Sequence, residues 1–564
     1  MQQHVFTIAK VCQHYGIENA VICPGSRSAP LVFAFTNITG IKCYSVIDER
    51  SAAFMALGMA QQLQKPVVLI CTSGTACLNF FPAVAEAFYQ KIPLLILTAD
   101  RPPEMLNQQD GQMIMQKGVF GKHVLGSYEL LSYQEENVDY KLTEKIVLNA
   151  IEESTHESGF GPVHINVPLR EPLYNLPEIP SFPELHFHNE KKILNITQVP
   201  FLNDFSNAWK ASKKKLILVG QMPPDSNLSN FLNTFISQDD VVLLADIASN
   251  QHEISNAGLF DFGLQHVSKE QRKDLAPDFI LSIGGPIVSK SMKLWLKGIK
   301  PNYHFRLQAQ AESIDTYQNL TQLLEAELLP YLEAFISLKG NAEPSKKEYS
   351  ILWKLLNNRA HEALKVFHEN KIWCEPNVVN KILAEIPENS QLQLGNSASV
   401  RWASWLGAPL KALQIFSNRG TSGIDGTIST AIGAARVQAG KIVTLICGDL
   451  SLFYDQNAFW QNDLPSNLKI IILNNHSGNI FNWIDGPKNH PDTLSYFTTP
   501  HELSVKKLAD QFGLNYFQSK EWSNLQEGID RLYAPQPNIS ILELSFDEVE
   551  NMKGINAFKE LVIG

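Results

Sequence analysis

Short apolar runs that stop abruptly at small polar residues constrain this chain more than any other feature. Val67–Cys71 breaks into Thr72-Ser73-Gly74-Thr75, Ile442–Cys447 into Gly448-Asp449-Leu450, and Lys469–Leu473 into Asn474-Asn475. A strand with one face in water alternates apolar and polar residues. Runs without alternation belong to strands covered on both faces, as in parallel sheets flanked by helices. Amphipathic segments separate the runs, so the predicted fold class is α/β, with parallel sheets between helices.

The first region is predicted to hold a helix over Gln3–Tyr15 capped by Gly16, strands at Asn19–Cys23, Lys42–Ile47, Val67–Cys71 and Leu94–Thr98, and helices near Ala29–Thr36, from Arg50 to Gln62 and from Thr75. Strands are expected at Lys215–Gly220, Val241–Asp246 and Phe279–Gly284, then at Gln391–Gly395, Leu413–Ser417, Ile442–Asp449, Lys469–Asn474 and Ile539–Phe546. The proline-rich stretch Leu176–Pro183 and the polar stretch Gly340–Lys347 read as boundaries. At roughly 100–200 residues per domain, the 564 residues divide into three α/β domains, 1–180, 195–340 and 350–564. Ligands are expected beyond the carboxyl ends of their strands.

The chain carries 47 Lys and Arg against 57 Asp and Glu, and it has no basic run, so it offers no general field for nucleic acid. Seven cysteines without a CxxC pair read as reduced thiols in a cytoplasmic protein. Pro66–Ala85 holds 20 residues without a charge, but Thr72-Ser73-Gly74-Thr75, Asn79 and Pro82 interrupt it, so no membrane span is expected.

Asp449 and Asn475 end two parallel-strand candidates, which brings a carboxylate and an amide oxygen to one edge. Mg²⁺ takes such oxygens together with phosphate oxygens and water. The plainer reading makes Asp449 a helix cap and Asn475 a turn residue. Glu49, in Asp48-Glu49-Arg50, is either a helix-start charge or a catalytic carboxylate. Thr72-Ser73-Gly74 suits an anion or a polar ring, or equally a plain helix cap, and the glycines of Gly420–Gly426 allow close backbone approach to a ligand or helix packing. Arg27, Arg101, Lys290, Arg401 and Arg419 sit in or beside these loops, and together they point to a polyanionic substrate. The GxxxxGK[ST], HExxH and GxSxG patterns are absent from the sequence.

Gly448-Asp449 followed by Asn474-Asn475, 25 residues after the Asp, resembles the thiamine diphosphate–Mg²⁺ motif, with Leu450 where Gly is frequent. Six segments are more specific: ICPGSRSAPL (22–31), IDERSAAFMALGMA (47–60), CTSGTACLNFFPAVAEA (71–87), LTADRPPE (97–104), GNSASVR (395–401) and SNRGTSGIDG (417–426). Together they resemble the 2-succinyl-5-enolpyruvyl-6-hydroxy-3-cyclohexene-1-carboxylate synthases of menaquinone biosynthesis.

The resemblance implies a pyrimidine-binding first domain, a central domain without cofactor and a diphosphate-binding last domain. It also implies a homodimer or homotetramer with the site between subunits. Asp449, Asn475 and the Ser477 carbonyl would hold Mg²⁺, with Mn²⁺ able to replace it. Thr72, Ser73, Gly74, Gly423, Gly448, Leu450 and Ser451 would line thiamine diphosphate, Ile424 would hold it bent, and Glu49 would contact its aminopyrimidine ring. Ser26, Arg401 and Arg419 would hold the part derived from 2-oxoglutarate. Arg27, Arg101, Gln112, Lys290 and Ser397 would face isochorismate, between walls of Ile480 and Phe481. The implied reaction is decarboxylation of 2-oxoglutarate and Stetter-like 1,4-addition of the succinyl carbanion to isochorismate. Two positions depart from the family pattern, Gly111 before Gln112 and Ser291 after Lys290. An acetohydroxyacid synthase, a simple decarboxylase and a catalytically silent relative are the competing readings. The arginines argue against the first two, and the joint presence of Glu49, Asp449 and Asn475 against the third.

Overall fold

The apolar runs become strands buried along their whole length: Val67–Cys71, Leu94–Asp100 and Leu468–Asn474 are buried at every residue. The structure is a computed structural model that describes residues 4–132, 140–155, 159–174, 201–238, 240–309, 312, 314–339, 347–407, 413–484 and 486–563. The first sheet contains β1 (Asn19–Ile22), β2 (Lys42–Ser45), β3 (Val67–Cys71), β4 (Leu94–Asp100), β5 (Ser127–Glu129) and β6 (Pro162–Pro168). The second contains β7 (Lys215–Val219), β8 (Val241–Ala245), β9 (Phe279–Ile283), β10 (Tyr303–Gln308) and β11 (Gln322–Glu325). The third contains β12 (Gln391–Leu394), β13 (Gln414–Phe416), β14 (Val443–Gly448), β15 (Leu468–Asn474), β16 (Asn515–Ser519) and β17 (Ser540–Ser545).

Every strand pair is parallel. The first sheet runs β2-β1-β3-β4-β6-β5 and the third β13-β12-β14-β15-β17-β16, the same order repeated; the second runs β11-β10-β9-β7-β8. The α/β class with helix-flanked parallel sheets therefore holds. The predicted strands are all present, within two residues at each end. The predicted first helix spans His4–His14, and Gly16 follows it with φ +71°. All seven cysteines are free thiols, and all except half-buried Cys43 are buried. Among the described residues no helix is long and apolar enough to cross a membrane.

Each of the ranges 1–180, 195–340 and 350–564 contains one sheet. Leu176–Pro183 lies outside the described residues, as does the Gly340–Lys347 boundary apart from Lys347. By its internal contacts the chain divides into two compact units. The first holds residues 1–198, 420–439 and 455–464; the second holds 199–419, 440–454 and 465–564.

Helix packing explains the exchange of segments. Within the first unit, helix Thr427–Val437 lies along helix Glu49–Leu63. A Cβ on Gly58 would stand 2.1 Å from the Thr430 carbonyl oxygen, and one on Gly433 2.1 Å from that of Met55. Gly426, at φ +67°, lies against the Phe54 ring. Gly426 beside Phe54, Thr430 beside Gly58 and Gln438 beside Gln62 follow one another in register. The helices thus run in the same direction and begin at the same end, near Glu49.

Overpacking a tight contact costs about 1–3 kcal/mol. Gly433→Val should therefore lower the thermal midpoint by several degrees. Gly298→Ala, where an added Cβ meets nothing within 4 Å, should leave it unchanged. Differential scanning calorimetry of the two variants checks this, and equal midpoints would contradict the close helix approach.

Candidate active site

In the first unit the predicted residues follow four adjacent strands. Ser26 and Arg27 come after β1, Glu49 after β2, Thr72-Ser73-Gly74 after β3 and Arg101 after β4. Asp48 caps the Glu49 helix by accepting from Ser51 N at 3.1 Å, and its other oxygen accepts from Asn457 Nδ2 at 2.8 Å. Glu49 is half-buried. Its carboxyl is pushed above the ordinary range, chiefly by burial and also by the neighbouring Asp48 charge. Burial, with Glu49 nearby, pushes the Cys23 and Cys71 thiols up, so the Glu49 carboxylate stands near the ends of β1 and β3.

Arg27 and Arg101 are buried. Arg27 donates to the Leu169 carbonyl at 3.0 Å and pairs with exposed Glu171 at 3.1 Å. Arg101 donates to the Gly111 carbonyl and pairs with Asp110 at 3.1 Å. Gly111 therefore supplies a carbonyl, a contact its missing side chain does not alter. Gln112 is exposed, with φ +53°, and its backbone passes close to Gly74. The Gly420–Gly426 loop, carrying Gly423 and Ile424, also belongs to the first unit. Buried Glu86 holds it, accepting from Gly420 N at 2.7 Å, Thr421 N at 2.6 Å and Thr421 Oγ1 at 2.5 Å.

In the second unit Ser397 and Arg401 follow β12, Arg419 follows β13, Asp449 follows β14, and Asn475, Ser477, Ile480 and Phe481 follow β15. These four strands are adjacent. Ser397 has φ +74° and ψ −121°, a costly backbone for a residue with a side chain, of the kind that clusters at functional sites. Its carbonyl accepts from Arg401 Nη1 at 2.6 Å, and Arg419 Nη1 donates to Asn396 Oδ1 at 2.9 Å. Burial and the Arg419 charge hold the Arg401 guanidinium below its usual range. Lys293, absent from the sequence-based set, joins them: burial and the nearby charges of Arg419 and Arg401 push its ammonium down. Lys290 is exposed at the start of helix Lys290–Gly298. Ile480 is buried, and half-buried Phe481 lies against the Phe497 ring.

Asp449 Oδ1 accepts from Leu450 N at 2.8 Å. Among the described residues its buried Oδ2 receives no hydrogen bond, and it lies 3.2 Å from His501 Nε2. Leaving a buried carboxylate oxygen without a donor is costly. A Cβ on the adjacent Gly448 would meet nothing within 4 Å, so the turn borders open space. Asn475 donates through Nδ2 to Glu375 Oε1 at 2.9 Å, and its Oδ1 accepts from Ser477 N at 3.1 Å. Asp449 Oδ2, Asn475 Oδ1 and the Ser477 carbonyl are oxygens of the type that Mg²⁺ or Mn²⁺ takes. Among the described residues no group of three His, Cys, Asp or Glu could hold a metal, so they offer no zinc-type cluster.

Comparison with known proteins shows the family. Residues 5–119 match the thiamine pyrophosphate enzyme N-terminal TPP binding domain, 189–394 the middle domain of thiamine pyrophosphate enzymes, and 397–543 the C-terminal TPP binding domain. The 2-succinyl-5-enolpyruvyl-6-hydroxy-3-cyclohexene-1-carboxylate synthase of Flavobacterium psychrophilum is 37% identical over 98% of both chains. That of Cytophaga hutchinsonii is 36% identical over 99% of both, and that of Desulfotalea psychrophila 37% over 93% of this chain and 97% of its own. The chain belongs to this synthase family. It is accordingly a thiamine diphosphate enzyme, and thiamine diphosphate with a divalent metal is its cofactor.

The orphaned oxygen yields a two-sided prediction for the synthase. Asp449→Ala should weaken binding of Mg²⁺ with thiamine diphosphate at least ~10-fold. Without ligands the same variant should melt at or above the parent temperature, because a buried unsatisfied oxygen is gone. Calorimetric titration and thermal melts read the two effects. Parent-like metal affinity would remove Asp449 from the donor set.

Proposed function

We propose that this synthase decarboxylates 2-oxoglutarate and adds the four-carbon remainder to isochorismate by 1,4-addition. The observation that carries the donor assignment is the cationic group in the second unit. Burial and mutual repulsion depress Arg401 and Lys293 beside Arg419, and among the described residues neither Arg401 nor Lys293 forms an ion pair. Such a group is stabilised by an incoming dicarboxylate and has little use for a small monocarboxylate.

Thiamine diphosphate, when bound, supplies the nucleophilic carbon and the electron sink that decarboxylation requires. Asp449, Asn475 and the Ser477 carbonyl would hold the divalent cation, and Gly448, Leu450 and Ser451 would hold the diphosphate. Thr72, Ser73 and Gly74 would hold the cofactor from the first domain, and Gly423 and Ile424 would support it. Glu49 holds a proton at its carboxyl oxygen and donates it to the aminopyrimidine ring nitrogen. Its raised carboxyl keeps that proton to higher pH than an ordinary carboxylate. Ser26, Arg401 and Arg419 orient the donor, while Arg27, Arg101, Gln112, Lys290 and Ser397 receive the acceptor's carboxylates against Ile480 and Phe481. For Arg27 and Arg101 this means exchanging Glu171 and Asp110 for substrate carboxylates. We propose three domains with the boundaries read from the sequence, a homodimer or homotetramer whose site draws on two subunits, and a cytoplasmic location supported by the seven free thiols.

A hydrogen bond to a charged group is worth about 1.5–3 kcal/mol, or roughly 10–150-fold. With isochorismate saturating, 2-oxoglutarate should exceed pyruvate by more than ~100-fold in kcat/KM. Arg401→Ala should shrink that ratio by damaging 2-oxoglutarate use alone. Equal use of both donors by the parent enzyme would overturn the dicarboxylate reading.

The Glu49 role has a separate test. Glu49→Gln should bind the cofactor but lose about 10²–10⁴-fold in kcat. Exchange of the thiazolium proton, followed by NMR after acid quench, should slow in parallel. Parent-rate exchange would make Glu49 a helix-start charge only.

A further inference from the structure

Glu375 is the first residue of helix Glu375–Glu385 and is 1% exposed. Among the described residues it forms no ion pair, and its carboxylate is met by neutral donors. Oε1 accepts from Asn475 Nδ2 and from Asn551 Nδ2, each at 2.9 Å, and Oε2 accepts from Trp402 Nε1 at 2.7 Å. Its own N–H donates to Asn551 Oδ1 at 2.9 Å, which fixes that amide in turn. A buried charge without a counter-ion is expensive. A neutral glutamine would lower that cost but would turn an NH₂ group toward one of the three donors.

What the carboxylate alone provides is an acceptor at every approach. An asparagine amide presents oxygen on one side and NH₂ on the other, and the two ends exchange by a flip. With Nδ2 committed to Glu375, Asn475 must point Oδ1 away from it, toward Ser477 N and the loop after β15. The other carboxylate oxygen takes the indole of Trp402, the residue next to Arg401 on helix Ala398–Leu406.

We infer that Glu375 is a positioning residue that locks the Asn475 amide with its oxygen toward the metal and, through Trp402, ties the metal loop to the helix bearing Arg401. The inference rests on the proposed role of Asn475 as a metal ligand.

The test is Mn²⁺ titration, read by the EPR signal of free Mn²⁺ in the presence of thiamine diphosphate. Partners of metal ligands are typically worth 10–100-fold in affinity, and Glu375→Gln should weaken Mn²⁺ by about that factor. Asn475→Asp alone should weaken Mn²⁺ as well, because the new carboxylate faces Glu375, although a carboxylate is intrinsically the better ligand. The double variant Glu375→Gln/Asn475→Asp reverses the donor and acceptor and should recover Mn²⁺ affinity to within about 10-fold of the parent.

Parent-like affinity in Glu375→Gln, tighter binding in Asn475→Asp, or a double variant no better than Glu375→Gln would each overturn the inference. Asn475→Asp decides the matter if Glu375→Gln does not fold. Asp449→Ala is the control for the underlying reading. If it too keeps parent affinity, the metal site has failed. If it loses affinity while Glu375→Gln does not, only the role of Glu375 has.

Discussion

Strands β14 and β15 run parallel with Gly448 opposite Leu473, and much of the second unit's chemistry depends on that register. Both strands are buried almost throughout, so their backbone groups are committed to the sheet and neither can slide without breaking several hydrogen bonds at once. Where the pairing ends, the next residues are Asp449 on one strand and Asn474-Asn475 on the other. Parallel strands deliver these residues to the same edge, whereas an antiparallel pair would have sent them to opposite edges. A hard cation needs oxygens from separate points of the chain held at one place. The sheet supplies that placement before any side-chain contact is made.

The same device is used twice. The first and third sheets share one strand order, so their strands correspond: β1 with β12, β2 with β13, β3 with β14 and β4 with β15. The loops after corresponding strands carry different chemistry. Ser26 and Arg27 answer to Ser397 and Arg401, Glu49 to Arg419, Thr72-Ser73-Gly74 to Gly448-Asp449, and Arg101 to Asn475. Both edges carry guanidinium groups; the first adds an acid and hydroxyls, and the other the Asp449 and Asn475 oxygens. The repetition lies in topology and not in residues, and for that reason no short repeat is visible along the chain.

The placement of the candidate residues at strand ends was legible in the sequence because they follow the apolar strands directly, and a strand buried on both faces announces itself by continuous hydrophobicity. The strands that escaped notice lack that mark. β5 has three residues, β11 four, and β16 is only partly buried at a sheet edge. β6 and β10 place His164, Asn166 and His304 inside, where Thr98 and Ser282 satisfy them. Local hydrophobicity does not foresee a polar core residue whose partner is 66 positions away, as His164 is from Thr98. Glu375 was invisible for the same reason, since 100 residues separate it from Asn475 and 176 from Asn551. Thr427–Val437 read as part of the last domain, and only the glycine-to-backbone approach of Gly58 and Gly433 shows which helix it packs on.

Buried carboxylates satisfied by neutral donors recur in this enzyme, and each ties together segments distant in sequence. Glu86 gathers the Gly420–Thr421 backbone onto helix Phe81–Gln90. Asp261 accepts from Ser289, Ser291 and Ser404 hydroxyls and from Gln265, and burial pushes its carboxyl above the ordinary range. It thereby joins the start of the Lys290 helix to the helix of Arg401. This also gives Ser291 a role: its hydroxyl serves Asp261, and Lys293, two residues further along, brings positive charge toward Arg401 and Arg419. An apolar contact of similar size would hold the helices together but would tolerate sliding, because dispersion has little directionality. A carboxylate that must find donors at every lone pair has few acceptable arrangements. The cost of burying Glu86, Asp261 and Glu375 is therefore coupled to geometric definition of the loops and helices that carry Ile424, Arg401 and Asn475.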